Sequence, residues 1–308
     1  MPHNSPDASP APGPHDRPRP GWLPADVWPH RLRTHRDGPH TLHYLDEGPA
    51  DRDAPALVLV HAGMWSFVWR DLVAELANRY RCLAIDFPGA GLSDGGSDDV
   101  DLGAFAGLLG RWLDDLDVTR ASFVLHDLGG VVGVTAAAAR PERVEGLVAV
   151  NTFAWPAQTR GLRLMLRTMG GPTVTATAGR IGLIPRLTAT RSGVGRHLEA
   201  PARRAFRGPY VDDPDRSRAF HRAMRSAVGS EDLYVAADRA LTTTLAHLPV
   251  LTVFGERNDP FGFQDRHHAT FPKHEGVVVA KGNHFPMMDD PDLFADSLRR
   301  WLSGDAGA

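Results

Sequence analysis

Asp127 lies in the stretch Phe123-Val124-Leu125-His126-Asp127-Leu128-Gly129-Gly130. An apolar run there meets two glycines, which reads as a buried strand, a sharp turn and the start of a helix. Such a turn holds one side chain exposed at the end of a sheet. A serine in that place suits acyl transfer. A carboxylate suits attack on a saturated carbon, giving an ester of Asp127 that water then cleaves. His284, in Ala280-Lys281-Gly282-Asn283-His284-Phe285-Pro286, follows the last apolar run and is the candidate base for that water. Asp259, in Gly255-Glu256-Arg257-Asn258-Asp259-Pro260, is the candidate acid that orients His284 and stabilises its protonated form. Glu256 sits too near the strand end to reach the histidine. A second acid position, after the apolar run 144–150, holds Asn151, which favours Asp259.

The elements that must position these groups alternate. Apolar strands are expected at 56–61, 80–86, 121–126, 144–150, 250–254 and 276–280. Helical periodicity falls near 69–76, 101–116, 129–140, 262–271 and 291–302, the last capped by Asp290 with Pro291 in its first turn. The pattern predicts an α/β fold: a mostly parallel central sheet flanked by helices. The alternation breaks between 152 and 246, where the periodicity is helical, so a helical cap is expected there. The expected organisation is a flexible Pro-rich arm over 1–25, a first core part over 26–151, the cap over 152–246 and a second core part over 247–308. In such sheets the site lies beyond the carboxyl ends of the strands, where Asn151 also falls and where Asp127, Asp259 and His284 follow the order nucleophile, acid, base.

Other motifs read as structural. Gly91-Leu92-Ser93-Asp94-Gly95 matches G-x-S-x-G literally, but no strand leads directly into Ser93. His40, His43, His267 and His268 read as surface residues, and no cluster has zinc spacing. No metal or cofactor is therefore expected. Cys82, the single cysteine, lies in an apolar run and reads as a core residue. The 34 basic and 37 acidic side chains leave a net charge of −3, giving no reason to expect nucleic acid or a membrane as partner. No apolar stretch approaches a membrane span and no signal-peptide core is present, so a cytoplasmic protein is expected. The expected partners are water and a small, mainly apolar substrate.

Taken together, Trp65-Ser66-Phe67-Val68-Trp69-Arg70, Asp86-Phe87-Pro88-Gly89-Ala90-Gly91-Leu92-Ser93, His126-Asp127-Leu128-Gly129-Gly130, Asn151-Thr152-Phe153-Ala154-Trp155-Pro156 and Gly282-Asn283-His284-Phe285 resemble the α/β-hydrolase superfamily. Within it they are similar to the haloalkane dehalogenase and epoxide hydrolase branch, over roughly residues 38–303. The resemblance implies an α/β-hydrolase fold and an oxyanion hole formed by the backbone N–H groups of Leu128 and Gly63. It also implies C–halogen hydrolysis through an Asp127 ester. Two features depart from dehalogenases: Leu128 replaces the tryptophan that holds the halide, and the loop His61-Ala62-Gly63-Met64 lacks the usual asparagine. Trp65, Trp155 and Asn151 are the candidate replacements at the substrate. Epoxide opening is the alternative, using cap tyrosines, with Tyr210 the better candidate and Tyr234 better placed for packing. A further alternative is a cyclase, lyase or isomerase that uses Asp127 and His284 as acid and base.

Overall fold

The computed structural model describes residues 16–49, 51, 54–157, 159–190, 193–194, 197–211 and 213–304. Its strands are β1 (Arg33–Asp37), β2 (His40–Glu47), β3 (Ala56–Ala62), β4 (Arg81–Ile85), β5 (Ala121–Asp127), β6 (Val144–Thr152), β7 (Val250–Gly255) and β8 (His274–Val279). They form one sheet in the order β1-β2-β4-β3-β5-β6-β7-β8. β1 and β2 pair antiparallel, as do β2 and β4, and every other pairing is parallel. This is the α/β-hydrolase fold read from the sequence. The hairpin β1–β2 is an addition at one edge.

Strand alternation builds two cores. Val58, Val60 and Ala62 of β3 face one apolar cluster, while Leu57 and Leu59 face the other. The first face is covered by α2 (Leu102–Asp115) and α3 (Gly129–Ala139), the second by α1 (Arg70–Leu76) and, from the chain's end, α12 (Pro291–Ser303). Asp290 caps α12 by accepting the Leu293 N–H, as its sequence signature predicts.

Between β6 and β7 lie α4 (Arg160–Met169), α5 (Pro172–Ile181), α6 (Leu183–Thr188), α7 (Ala200–Arg207), α8 (Pro214–Gly229) and α9 (Glu231–Thr242). α9 lies against α3 and contributes Tyr234, Ala237 and Leu241 to the sheet-facing core. The helical insertion is thus shorter than the expected 152–246: β6 runs to Thr152, and α9 belongs to the layer that covers the sheet. After β7 come α10 (Phe263–Thr270), β8 and α11 (Pro286–Asp289).

The expected flexible arm is also corrected. Residues 1–15 lie outside the described residues, but 16–25 are packed. Arg19 donates to the carbonyls of Trp28 and His30, both at 2.8 Å, and Leu23 is buried. Trp22 lies edge-on to Trp65 and against Gly208, where any Cβ would collide with its ring. The prolines suggested disorder, yet Trp22, Leu23 and Trp28 bury enough apolar surface to hold the strap.

Candidate active site

β5 delivers Asp127 in a left-handed conformation, with φ of 53°. A non-glycine residue rarely adopts this, and here the surroundings enforce it. Gly129 and Gly130 let α3 press against the neighbouring strands. A Cβ at Gly129 would stand 2.3 Å from the Val60 carbonyl oxygen, and one at Gly130 would strike Thr152. The Thr152 hydroxyl also donates to the Asp127 carbonyl. The turn is therefore clamped from both adjoining strands and presents the carboxylate above the sheet.

His284 Nε2 lies 3.5 Å from Asp127 Oδ2. Burial pushes the Asp127 carboxyl up. The hydrogen bond and charge of protonated His284, with the nearby His126 ring and the Leu128 N–H, outweigh it and hold the carboxyl below its ordinary value. Asp127 is thus the ionised form that a nucleophile requires, and the Leu128 amide already faces its carboxyl group. Gly63, with φ of 120°, sits at the edge of the same space. The ring of Phe220, a wall of the cavity, comes within 3.2 Å of where a Gly63 side chain would begin. His61 holds this loop, its Nδ1 accepting the Met64 N–H at 3.4 Å.

The residue behind His284 is Asn258. His284 Nδ1 donates to Asn258 Oδ1 at 2.8 Å, so Nε2 faces Asp127, donating to it when the ring is protonated and carrying the lone pair when the ring is neutral. Asp259 does not take this role. Its Oδ1 accepts the Phe263 N–H at 2.7 Å and its Oδ2 accepts the Gln264 N–H at 2.9 Å. The cause is local: Gly262 precedes α10 in a left-handed conformation and has no side chain to cap it, so Asp259 reaches forward to satisfy the first-turn donors. The other acid position is an amide too. Asn151, at φ 39°, accepts the Gly255 N–H at 3.0 Å and donates to the Asn283 carbonyl at 2.7 Å. Among the described residues no carboxylate pairs with His284 Nδ1. Asn258 carries no carboxylate to mark it in the sequence as the partner of His284. Its signal was position alone, three residues beyond Gly255 at the end of β7.

His126 holds the backbone of His284. Its Nε2 donates to the His284 carbonyl at 2.7 Å, fixing the loop rather than the ring. Burial and the neighbouring charges of His284 and His61 press His126 well below the ordinary histidine value, so it stays neutral. Burial likewise lowers His61, to about 3.

Above Asp127 lies a cavity of about 260 Å³ bounded by Leu128, Phe153, Leu166, Phe220, Met224 and Phe263. Asn151, Asn258 and His284 supply its other polar groups besides Asp127. Three expected substrate contacts fall elsewhere. Trp65 is fully buried, donates its indole N–H to the Phe206 carbonyl at 3.0 Å and stacks on Phe67. Trp155 packs against Phe263 and His267 beneath the Arg266 guanidinium, 4.4 Å from its ring. Tyr210 is buried in another cleft, with Arg180, Arg186 and Arg207. Each indole or phenol satisfies apolar packing before it can reach the cavity. Asn151 does border the cavity, but both ends of its amide are committed to the backbone.

Tyr234 stacks on Phe153 at 5.5 Å and borders a neighbouring cavity, not the one over Asp127. With Tyr210 in a third place, the tyrosine pair needed for epoxide opening is not assembled. The remaining motifs are structural: Ser93 is fully buried, its hydroxyl held by the Asp86 carbonyl. The surface expectation fails for His43, which is fully buried and 2.9 Å from Asp86, and for His267, buried against Trp155. Cys82 is buried and free, its thiol pushed up to about 12 by burial.

Comparison with known proteins agrees with this fold. The sequence model described as the alpha/beta hydrolase family matches residues 57–297. Haloalkane dehalogenase 2 of Mycobacterium bovis is 29% identical over 263 residues, covering 83% of this chain and 90% of that protein. The cis-3-alkyl-4-alkyloxetan-2-one decarboxylase of Xanthomonas campestris is 28% identical over 287 residues, covering 85% and 92% respectively. Among solved structures, haloalkane dehalogenase DbeA from Bradyrhizobium elkani superposes with a TM-score of 0.74 at 22% identity, covering 88% of this chain and 97% of that one.

Proposed function

From the chain's membership of the alpha/beta hydrolase family, in its haloalkane dehalogenase-like branch, we propose a hydrolase that works through an alkyl ester of Asp127. The observation that carries this reading is the strained, ionised Asp127 facing His284 Nε2 at 3.5 Å inside an apolar cavity. A carboxylate oxygen attacks a saturated carbon, and the carbon–halogen pair leaves with the halide. Nε2 of His284 then takes a proton from water, whose oxygen attacks the Asp127 carboxyl carbon. The N–H groups of Leu128 and Gly63 face the oxyanion that forms. Collapse expels the alcohol oxygen, which takes the proton back from His284, and Asp127 releases its own proton to solvent with the halide.

One observation favours a second reading. Leu128 brings no indole to the cavity, Asn151 spends one of its two amide N–H groups on the Asn283 carbonyl, and Trp65 and Trp155 are committed elsewhere. The Nδ2 groups of Asn258 and Asn151 are the side-chain donors left for a departing halide, with no indole N–H among them, and a poorly solvated buried anion is costly. A four-membered cyclic ester, the substrate type in the name of the Xanthomonas relative, needs less help. Attack of Asp127 opens its carbon–oxygen bond, and the departing carboxylate spreads its charge over two oxygens. That carboxylate can then leave as CO2, its carbon–carbon pair forming an alkene as Asp127 is expelled, with no water consumed.

Mass spectrometry of the intact His284→Ala variant tests the first reading. Exposure to haloalkanes should give a stable adduct that the added Asp127→Ala change abolishes. Halide release by the wild type supports dehalogenation, whereas CO2 release from an oxetan-2-one without a trapped ester supports the second reading.

A further inference from the structure

Charge along the chain is uneven in a way the total conceals. Residues 157–211 contain ten arginines (160, 163, 167, 180, 186, 191, 196, 203, 204 and 207), no lysine and one acid, Glu199. That segment is +9 in a chain of −3, so the rest of the molecule is strongly acidic.

The same segment carries exposed apolar side chains in a repeated pairing. Leu164 is 66% exposed, Ile181 50% and Leu187 52%. Each follows directly on an exposed arginine: Arg163, Arg180 and Arg186. A single exposed leucine needs no explanation. Three such pairs fall on successive helices that all pack against α8, and their composition is of the interface-seeking type. α4 links this surface to the site. Its Leu162 and Leu166 turn inward to wall the cavity over Asp127, while Arg160, Leu164 and Arg167 face solvent. Met165 does both, lining the cavity while 42% exposed, so it marks the mouth.

We propose that the cap surface formed by α4, α5 and α6 docks on an anionic lipid bilayer, with the cavity mouth at Met165 turned towards the membrane. Arginines would face the lipid phosphates while Leu164, Ile181 and Leu187 enter the headgroup boundary. The acidic remainder of the molecule would stay away from the surface. The idea rests on the proposed function only for the identity of the guest, an apolar substrate drawn from the lipid. It reverses the expectation of no membrane partner, which was based on net charge. Among the described residues no helix is long and apolar enough to cross a membrane, which is compatible with peripheral attachment.

Co-sedimentation of the full chain with vesicles tests this without turnover, comparing phosphatidylcholine alone with an equal mixture of phosphatidylcholine and phosphatidylglycerol. Binding should appear on the anionic vesicles and fall with added salt. Arg160→Glu with Arg167→Glu should lower partitioning by roughly thirtyfold or more, at about 1 kcal/mol per arginine lost. Leu164→Asp should also weaken it, with thermal melts confirming that each variant folds. Asp127→Ala should bind like the wild type, so failure of the proposed chemistry and failure of docking are separate results. Equal binding to neutral and anionic vesicles, or none to either, overturns the proposal. So does a concentration-dependent dimer that these variants dissociate, since a second copy would then be the occupant of this face.

Discussion

The two sides of His284 are built by opposite means. On the Nε2 side, Asp127 is carried by a buried strand and held at a φ of 53° by contacts from both neighbouring strands. On the Nδ1 side, the loop after β7 presents Asn258, and the carboxylate one residue further on is spent on α10. Asp127 is thus fixed by the sheet, whereas the choice of residue behind His284 is left to a loop. A one-residue difference in how that loop turns decides whether His284 is backed by a charge or by a dipole. An amide can fix the tautomer, but it shares none of the positive charge that forms when Nε2 takes a proton.

The largest test breaks the sheet-borne side. Asp127→Ala should reduce turnover by roughly a thousandfold or more. His284→Ala should slow ester cleavage while leaving ester formation intact, seen as a single-turnover burst that does not continue. If Asp127→Ala retained near wild-type turnover, the comparison itself would have no basis.

The next test probes the burial that supports this side. His61 and His267 are held neutral by burial, at about 3 and about 4, and His126 is displaced in the same direction. Above the unfolded value of about 6.5 all three are neutral in both states and stability is at its full level. As pH falls below that value the unfolded chain binds protons that the folded chain refuses, so stability is lost. His61 and His267 should each cost roughly 2 kcal/mol between pH 7 and pH 5. Urea titrations at the two pH values measure this, and His267→Gln should make the loss smaller. A pH-independent midpoint across that range would contradict the burial described.

These two sides also differed in how far the sequence could be read. The strand run into His126-Asp127 and the glycines after it make one local signal, because strand burial and close helix approach are dictated by neighbouring residues. Asp290 capping α12 was legible for the same reason. The Asp259 assignment failed because Gly262 at the start of α10 turns an apparent acid into a cap, an effect visible only once the loop is folded. Trp65, Trp155 and Tyr210 failed on a longer scale. An aromatic residue near a motif is drawn to whichever apolar space is largest, and here that was the core and the base of the cap. The packing of Trp22 and Trp28 under a proline-rich start was hidden likewise, since composition does not tell which surface waits to be covered.

A third test sharpens the comparison by exchanging dipole for charge. Asn258→Asp would place a carboxylate on Nδ1, stabilise the imidazolium and speed hydrolysis of the Asp127 ester by roughly tenfold or more. Asn258→Ala should slow that step by removing tautomer control, while the rate of ester formation stays near the wild-type value. Rapid-quench measurement of ester formation and decay separates the two steps. Slower ester formation in Asn258→Asp would mean that the amide N–H serves the leaving group, as the departing halide of the first functional reading requires.

The smallest expected effect is the most discriminating about the loop. If Asp259 only caps α10, Asp259→Ala removes two acceptors from the first turn and costs about 1 kcal/mol. In a domain of this size that lowers Tm by roughly 2–4 °C. Turnover at a temperature well below the transition should be close to wild type, because His284 keeps its bond to Asn258. If instead the loop rearranges on substrate binding and brings Asp259 to Nδ1, the same substitution would cut the hydrolytic step by orders of magnitude while the melting change stayed small. Stability and turnover therefore move in opposite proportions under the two arrangements. One variant measured both ways tells whether the sheet alone fixes this site or whether the loop completes it during the reaction.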